Sequence, residues 1–445
     1  MQISPEKTIQ FEKDLSLLIA AKSVKSDPVD CAPYGIGTLN ALEVMFEIAG
    51  RNGFNCKNLD GRVGYIEWGE GSEYIAILSH LDVVPPGPLS DWSTDPYTMT
   101  LKNGYYFGRG IVDDKGPAMA ALYAMIELKE SGYRPACRIR LILGLDEENG
   151  SSCVQHYLEH EPVPIFGFTP DADFPAIFAE KGILQIDISD IGHPEIRISG
   201  GDAANMVPAY CEVIFSSSQQ SQRYIGKSAH ASTPEKGDNA IIKAIANLET
   251  SRKSSHPILS FIDQEFIVKD ACKNLFKSVA SDFSGELSVN IGMIELTHDN
   301  SHLVIDIRYP VTEDSDHILS CIEAALNQET TQLSIRSHLL PLHIERDSVQ
   351  MKALLKVYES FASQFECDDK SNPIYIKHTQ HPVEPITIGG GTYARSMPNI
   401  IPFGPYLPWE KSTLHQKNEC YGRNNLITLI GVYRDAIRAL SNLIN

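Results

Sequence analysis

Between about residues 8 and 135 the apolar positions alternate between two periods. Residues 8–22 and 38–52 repeat at three- and four-residue intervals, which predicts amphipathic helices, and Met119 to Lys129 predicts a third helix. Tyr74-Ile-Ala-Ile-Leu-Ser79 and Arg138-Ile-Arg-Leu-Ile-Leu-Gly144 are short, mainly apolar runs of the kind found in buried strands. Helices alternating with buried strands predict an α/β sheet covered by helices, in which ligands gather at the carboxyl ends of the strands.

From about 180 to 345 the pattern changes. Strand signals at Gly182 to Ser189, Ala209 to Ser216 and Leu303 to Tyr309 are mixed with helical stretches at Asn239 to Glu249 and Asp316 to Gln328. After about 348, helices at Met351 to Phe365 and Leu426 to Leu440 resume the first style. The expected organisation is a discontinuous α/β domain of residues 1–180 and 348–445, a mixed sheet flanked by helices, interrupted by an α+β insertion at 181–347. A chain of 445 residues is too long for one ordinary core, which agrees with two units.

Charge narrows the partners. The net charge is −19, from 57 acidic and 38 basic residues, without a Lys/Arg run that could track phosphates, so nucleic acid is not an expected partner. Some of the acids could instead be neutralised by bound cations. No stretch of about 18 apolar residues occurs and the N-terminus lacks a signal-peptide pattern, so a soluble cytoplasmic chain without a membrane partner is expected. The 9 cysteines are scattered with no Cys-x-x-Cys pair, which argues against a disulfide framework or a zinc-thiolate site.

Candidate chemistry lies where the strands end. In Ser79-His-Leu-Asp-Val-Val-Pro85, His80 and Asp82 share a face of extended chain, so Asp82 can accept from one imidazole nitrogen while the other faces a metal. A strand-end histidine beside a solvated aspartate would give the same spacing. Gly108-Arg-Gly-Ile-Val-Asp-Asp-Lys-Gly116 sets Asp113 and Asp114 side by side before a helix that Asp114 could cap. Leu143-Gly-Leu-Asp-Glu-Glu-Asn-Gly150 crowds three acids at a strand end, where they repel unless cations or protons intervene, or unless water solvates them. Thr169-Pro-Asp-Ala-Asp-Phe-Pro175 adds acids in a turn, and Thr413-Leu-His-Gln-Lys-Asn-Glu419 adds a second histidine. Imidazoles with carboxylates suit Zn2+, and a bridging carboxylate suits two ions about 3.5–4 Å apart.

These motifs, in this order, resemble the co-catalytic zinc peptidase family of aminoacylase, carboxypeptidase G, acetylornithine deacetylase and carnosinase, most closely its PepV-type dipeptidase branch. The resemblance runs from roughly residue 10 to the C-terminus. It implies that residues 1–180 and 348–445 form a zinc-binding catalytic domain and 181–347 a lid. It implies two Zn2+ ions, with Mn2+ or Co2+ able to substitute: His80 and Asp171 on one, Glu148 and His415 on the other, and Asp113 bridging both. Glu147 becomes the general base that works on metal-activated water, Asp82 supports His80, and the Asp113–Asp114 peptide is cis.

In the lid, Gly226-Lys-Ser-Ala-His230 resembles the loop whose imidazole stabilises the oxyanion. Asn205 and Arg308 resemble groups that hold substrate, Arg308 through its terminal carboxylate. Gly390, Gly391 and Thr392 in Gly389-Gly-Gly-Thr-Tyr-Ala-Arg395 resemble a substrate-facing loop. The implied activity is metallo-dipeptidase hydrolysis of short peptides by a monomer. The alternatives are hydrolysis of N-acyl amino acids and a binding protein that has lost turnover; an intact Glu147 argues against the latter.

Overall fold

A computed structural model of the chain describes residues 3–190, 196–215, 220–268, 270–277, 280–298, 301–327 and 329–444. The chain divides into two compact units. Unit 1 comprises Met1–Phe178, Ile344–Ile386 and Thr392–Asn445, and unit 2 comprises Ala179–His343 and Thr387–Gly391.

Unit 1 is built on a six-stranded mixed sheet of β1 (Asn55–Leu59), β2 (Val63–Trp68), β3 (Tyr74–His80), β4 (Arg138–Gly144), β5 (Phe166–Thr169) and β6 (Ile400–Pro402), in the order β1-β2-β4-β3-β5-β6. The β1–β2 hairpin and the β2–β4 pair are antiparallel, whereas β4, β3, β5 and β6 run parallel. The register sets Tyr74 against Arg138 and His80 against Gly144, so two neighbouring parallel strands end side by side. All seven residues of β3 are buried, the signature of a strand covered on both faces.

Helices α1 (Pro5–Ala20), α2 (Ile36–Arg51), α3 (Lys115–Glu130), α4 (Ser152–His160), α5 (Val349–Phe361) and α6 (Arg423–Ser441) supply that cover. α3 and α6 pack on each other and on β3. On β2, Gly64 faces Phe46 and Leu42 of α2, while the Tyr65 ring lies 6.1 Å from that of Tyr157 in α4. Successive strand residues point to opposite faces, so α2 and α4 lie on the two sides of the sheet. α3 is buried continuously from Lys115 to Ile126, and its Ala-rich sequence lets neighbours approach closely.

Unit 2 is a seven-stranded antiparallel sheet in the spatial order 221–225, 210–215, 196–200, 288–296, 301–309, 182–190 and 331–339. Burial in 182–190 alternates toward its end, as a sheet with one packed face requires. Ile186, Ile188 and Ile305 join Ile241 and Ile245 of the 240–246 helix, Ile258 and Ile262 of the 257–265 helix, and Ile318 and Ile322 of the 315–325 helix in one core.

The expected mixed sheet with helical cover is therefore present, and each element named from apolar periodicity has a counterpart within a few residues. Ser216 and Gln328, at the ends of two expected elements, lie outside the described residues. The periodicity left out the β1–β2 hairpin and the strands at 196–200, 221–225, 288–296 and 331–339. The edge strands among these carry many exposed polar positions, so their apolar signal is weak.

Gly144 ends β4 beneath the loop that follows it. A Cβ there would lie 1.9 Å from Tyr393 Oη and 3.0 Å from Cys153 Sγ, both buried. Gly144→Ala is expected to cost about 1–3 kcal/mol by overpacking, read as a lower Tm in thermal denaturation. An unchanged Tm would mean that Tyr393 can move aside without loss.

Candidate metal centre

Three parallel strands deliver the acidic clusters to one edge of the sheet. β3 ends on His80, β4 on Gly144 just before Asp146-Glu-Glu148, and β5 on Thr169 just before Asp171. Asp113 arrives from the loop ahead of α3, and His415 from the segment ahead of α6. All belong to unit 1.

Asp113 occupies the middle. Its Oδ1 lies 3.0 Å from His80 Nε2 and its Oδ2 3.0 Å from His415 Nε2. Glu148 Oε2 is 3.1 Å from the same His415 nitrogen, and Asp171 Oδ2 is 3.8 Å from His80 Nε2. Two sets of donor atoms thus converge, His80 with Glu147 and Asp171, and Asp113 with Glu148 and His415, each within 4.8 Å. His80 is fully buried and Asp113 nearly so, whereas the His415 side chain is half exposed and its backbone is left-handed, at φ 59°.

The electrostatics suit cations. Burial would raise the Asp113 carboxyl, but hydrogen bonds from His415 and His80 hold it well below the usual range. Burial, with the neighbouring Asp113 and Glu148 charges, pushes Asp171 up to about 7. Glu147 is raised by burial and by Asp171, Glu148 and Asp113, and Glu148 by burial and Asp113. Despite burial, the Asp113 and Glu148 carboxylates hold His415 up to about 10. Glu148 Oε1 is also buried without a hydrogen-bond partner. Crowded carboxylates, two imidazole nitrogens facing them that can give up a proton to a metal, and an orphaned acceptor oxygen make a donor set that fits divalent cations.

His80 Nδ1 lies 3.0 Å from the backbone carbonyl of Asp82 and 3.5 Å from its Oδ1, so the carbonyl, more than the expected carboxylate, fixes the ring. The Asp82 carboxylate instead accepts from the N–H groups of Glu147 and Glu148, at 3.0 and 3.1 Å. The Asp113–Asp114 peptide is cis, as the resemblance implies. Asp114 stands at the N-cap position of α3 but does not cap it with its side chain, contrary to that option in the sequence. Its Oδ2 accepts from Ser79 Oγ and from the His80 N–H, fastening the loop to the end of β3.

The remaining sequence candidates lie on unit 2, except Thr392, which belongs to unit 1. The loops of Asn205 and His230 are zipped together: the Ala231 N–H donates to the Asn205 carbonyl at 2.9 Å, and Met206 bridges to His230. His230 Nδ1 accepts from the Ser232 N–H at 3.2 Å and lies 2.7 Å from Ser232 Oγ, which leaves the ring proton on Nε2. Arg308 is buried, grips Asp306 through Nε at 2.5 Å and Nη2 at 2.9 Å, and turns Nη1 toward the Gly389 carbonyl at 3.3 Å. Gly390 and Gly391 follow in the same loop, and a Cβ at Gly390 would meet nothing within 4 Å.

The profile described as "Peptidase family M20/M25/M40" matches residues 76–439. The chain belongs to this family. Membership makes it a hydrolase of peptide bonds and implies divalent metal ions. Among its relatives, the "Putative dipeptidase YtjP" of Bacillus subtilis (strain 168) is 33% identical, with 92% of each chain covered. A "Putative dipeptidase" of Staphylococcus epidermidis is 29% identical over 98% of each. The fold is similar to that of human carnosine dipeptidase 1, with a TM-score of 0.60 at 14% identity over 98% of this chain and 97% of the other. It also resembles aminoacylhistidine dipeptidase from Vibrio alginolyticus, with a TM-score of 0.57 at 13% identity over 99% and 97%.

Sequence reasoning missed the support beneath the centre. Glu419 is fully buried and accepts from Arg109 Nη1 at 2.6 Å and from the N–H groups of Gly110, Val112 and Asp113 at 3.1, 3.1 and 3.4 Å. One carboxylate thus organises the loop that presents Asp113. The signal was Gly108-Arg-Gly110, a tight run of backbone donors with Gly110 at φ 88° that needs an acceptor, but nothing local names Glu419. Lys115, also buried, donates to the Leu18 and Ala21 carbonyls at 3.0 and 2.6 Å and so secures the end of α1. Glu419→Gln turns an amide toward donors that need an acceptor and leaves Arg109 unpaired. It is expected to cost about 3–5 kcal/mol, measured by chemical denaturation. A loss below about 1 kcal/mol would remove Glu419 from this role.

Proposed function

We propose that this chain is a di-zinc dipeptidase that cleaves dipeptides or short peptides with a free C-terminal carboxylate. The observation that carries this reading is Asp113 set between the imidazoles of His80 and His415, with Asp171 on one side and Glu148 on the other. His80 and Asp171 would hold one Zn2+, Glu148 and His415 the second, and Asp113 both; Mn2+ or Co2+ could replace them. When bound, such ions would supply a water whose pKa is lowered from 15.7 in bulk to roughly 7.

Glu147 acts as general base. Its carboxylate takes the proton from the attacking water and returns it to the leaving amine. Asp82, through the Glu147 and Glu148 N–H groups, fixes the base and its neighbouring ligand in one turn. His230, with its proton on Nε2, donates to the developing oxyanion. Asn205 and Arg308 bind substrate, Arg308 through the peptide carboxylate, with Asp306 holding the guanidinium fixed. Gly390, Gly391 and Thr392 add backbone contacts. Each monomer, acting in the cytoplasm, supplies its own His230.

Glu147→Gln should reduce kcat by about 10²–10⁴-fold while elemental analysis finds metal content nearly unchanged. Asp113→Ala should instead lose metal. Near-normal turnover in the first variant, or full metal stoichiometry in the second, would refute the respective role.

The names of the relatives favour a dipeptide over an N-acyl amino acid. Assays on one dipeptide and its N-acetyl analogue, with and without added Zn2+, are expected to show metal-dependent cleavage of the free dipeptide. Preference for the acetylated compound would establish the deacylase reading.

A further inference from the structure

Away from the candidate centre, three side chains of unit 1 converge at the far end of α4. His156 and His160 are four residues apart on this helix, which brings them to one face. Their rings lie 4.3 Å apart between centroids, tilted by 38°. Asp60 faces them from the β1–β2 turn, with Oδ2 3.0 Å from His156 Nε2. One donor atom from each of the three lies within 4.8 Å of the others.

The local structure prepares these groups as ligands. Asp60 and Gly61 have φ values of 56° and 64°, the two central positions of a left-handed β-turn within the three-residue connection between Leu59 and Val63, and the Arg62 N–H closes it on the Leu59 carbonyl at 3.1 Å. The Gly61 N–H also donates to Asn58 Oδ1 at 2.8 Å. Asp60 is therefore presented from a fixed turn. His160 Nδ1 lies 2.8 Å from the His156 carbonyl, which can only accept, so the ring proton is on Nδ1 and Nε2 carries the lone pair. A backbone carbonyl fixing the tautomer of an imidazole is the usual support of a metal-bound histidine. Two donors about 2.1 Å from one ion stand about 3.0–3.4 Å apart at angles of 90–109°, and the His156–Asp60 separation is of that size. An Asp60–His156 ion pair alone would give no role to the second, tautomer-fixed imidazole.

We propose that Asp60, His156 and His160 form a surface site for a borderline divalent transition-metal ion such as Zn2+, completed by water. Imidazole and carboxylate donors select this class over Mg2+ or Ca2+. The Asp60 side chain is 71% exposed, so an ion has open access. The bound ion would clip the β1–β2 turn to the last turn of α4. Along α4, His156 and His160 lie about 6 and 12 Å of helix rise beyond Ser152, on the side away from the Glu147–Glu148 loop, so the ion would stabilise the unit without entering the reaction.

The test compares the intact chain with His160→Ala and Asp60→Asn. Asn tolerates the left-handed turn, and His160→Ala leaves the Asp60–His156 pair in place. Equilibrium dialysis against Zn2+ with elemental analysis should find one equivalent fewer in His160→Ala and affinity for that equivalent weakened about tenfold or more in Asp60→Asn, with dipeptide hydrolysis unchanged. Added Zn2+ should raise the Tm of the unsubstituted chain by more than that of either variant. Because the readout is a difference between folded proteins, it is independent of how many ions the candidate catalytic centre holds. Equal Zn2+ content and equal Tm shifts across the three proteins would overturn the proposal.

Discussion

The Asp113 carboxylate has an imidazole 3.0 Å from each of its oxygens, and Glu147, Glu148 and Asp171 gather around the same two rings. Burying that many acids together is unfavourable unless positive charge is interleaved among them. The ends of β3, β4 and β5, the loop before α3 and the segment before α6 answer this requirement: each contributes a donor or holds one in place. Charged imidazoles offset the carboxylates in part, and divalent ions offset them more completely.

Position is enforced one layer further out. Glu419 gathers the N–H groups from Gly110 to Asp113 and pairs with Arg109. Asp114 ties the same loop to Ser79 and to the His80 backbone, and Asp82 does likewise for Glu147 and Glu148. In each case a buried carboxylate accepts backbone donors, so the polar groups of a loop are satisfied and its geometry becomes specific. Unit 2 shows the same economy, with Ser232 setting the His230 tautomer and Asp306 aligning Arg308. The Asp60–His156–His160 cluster uses a turn and a helix in place of such carboxylates, which is why it can stand on an open surface.

By itself, the sequence determined the α/β character of unit 1, because long amphipathic helices and the buried strands at 74–80 and 138–144 have strong periodicity. It also marked His80, Asp113, Glu147, Glu148, Asp171 and His415, since acids and histidines next to strand ends and glycines stand out locally and occur in a recognisable order. It did not reveal the edge strands, whose half-exposed residues leave little alternation to read. Nor could it divide the work of neighbouring acids. Asp114 could be read as a helix cap, yet its side chain turns to Ser79 and His80, because a buried hydroxyl and N–H there need an acceptor. Glu419 lies more than 300 residues from Arg109, and Asp60 almost 100 from His156. Only the tertiary structure decided those partnerships, because hydrogen bonds and ion pairs depend on distances of a few ångströms that sequence separation does not encode.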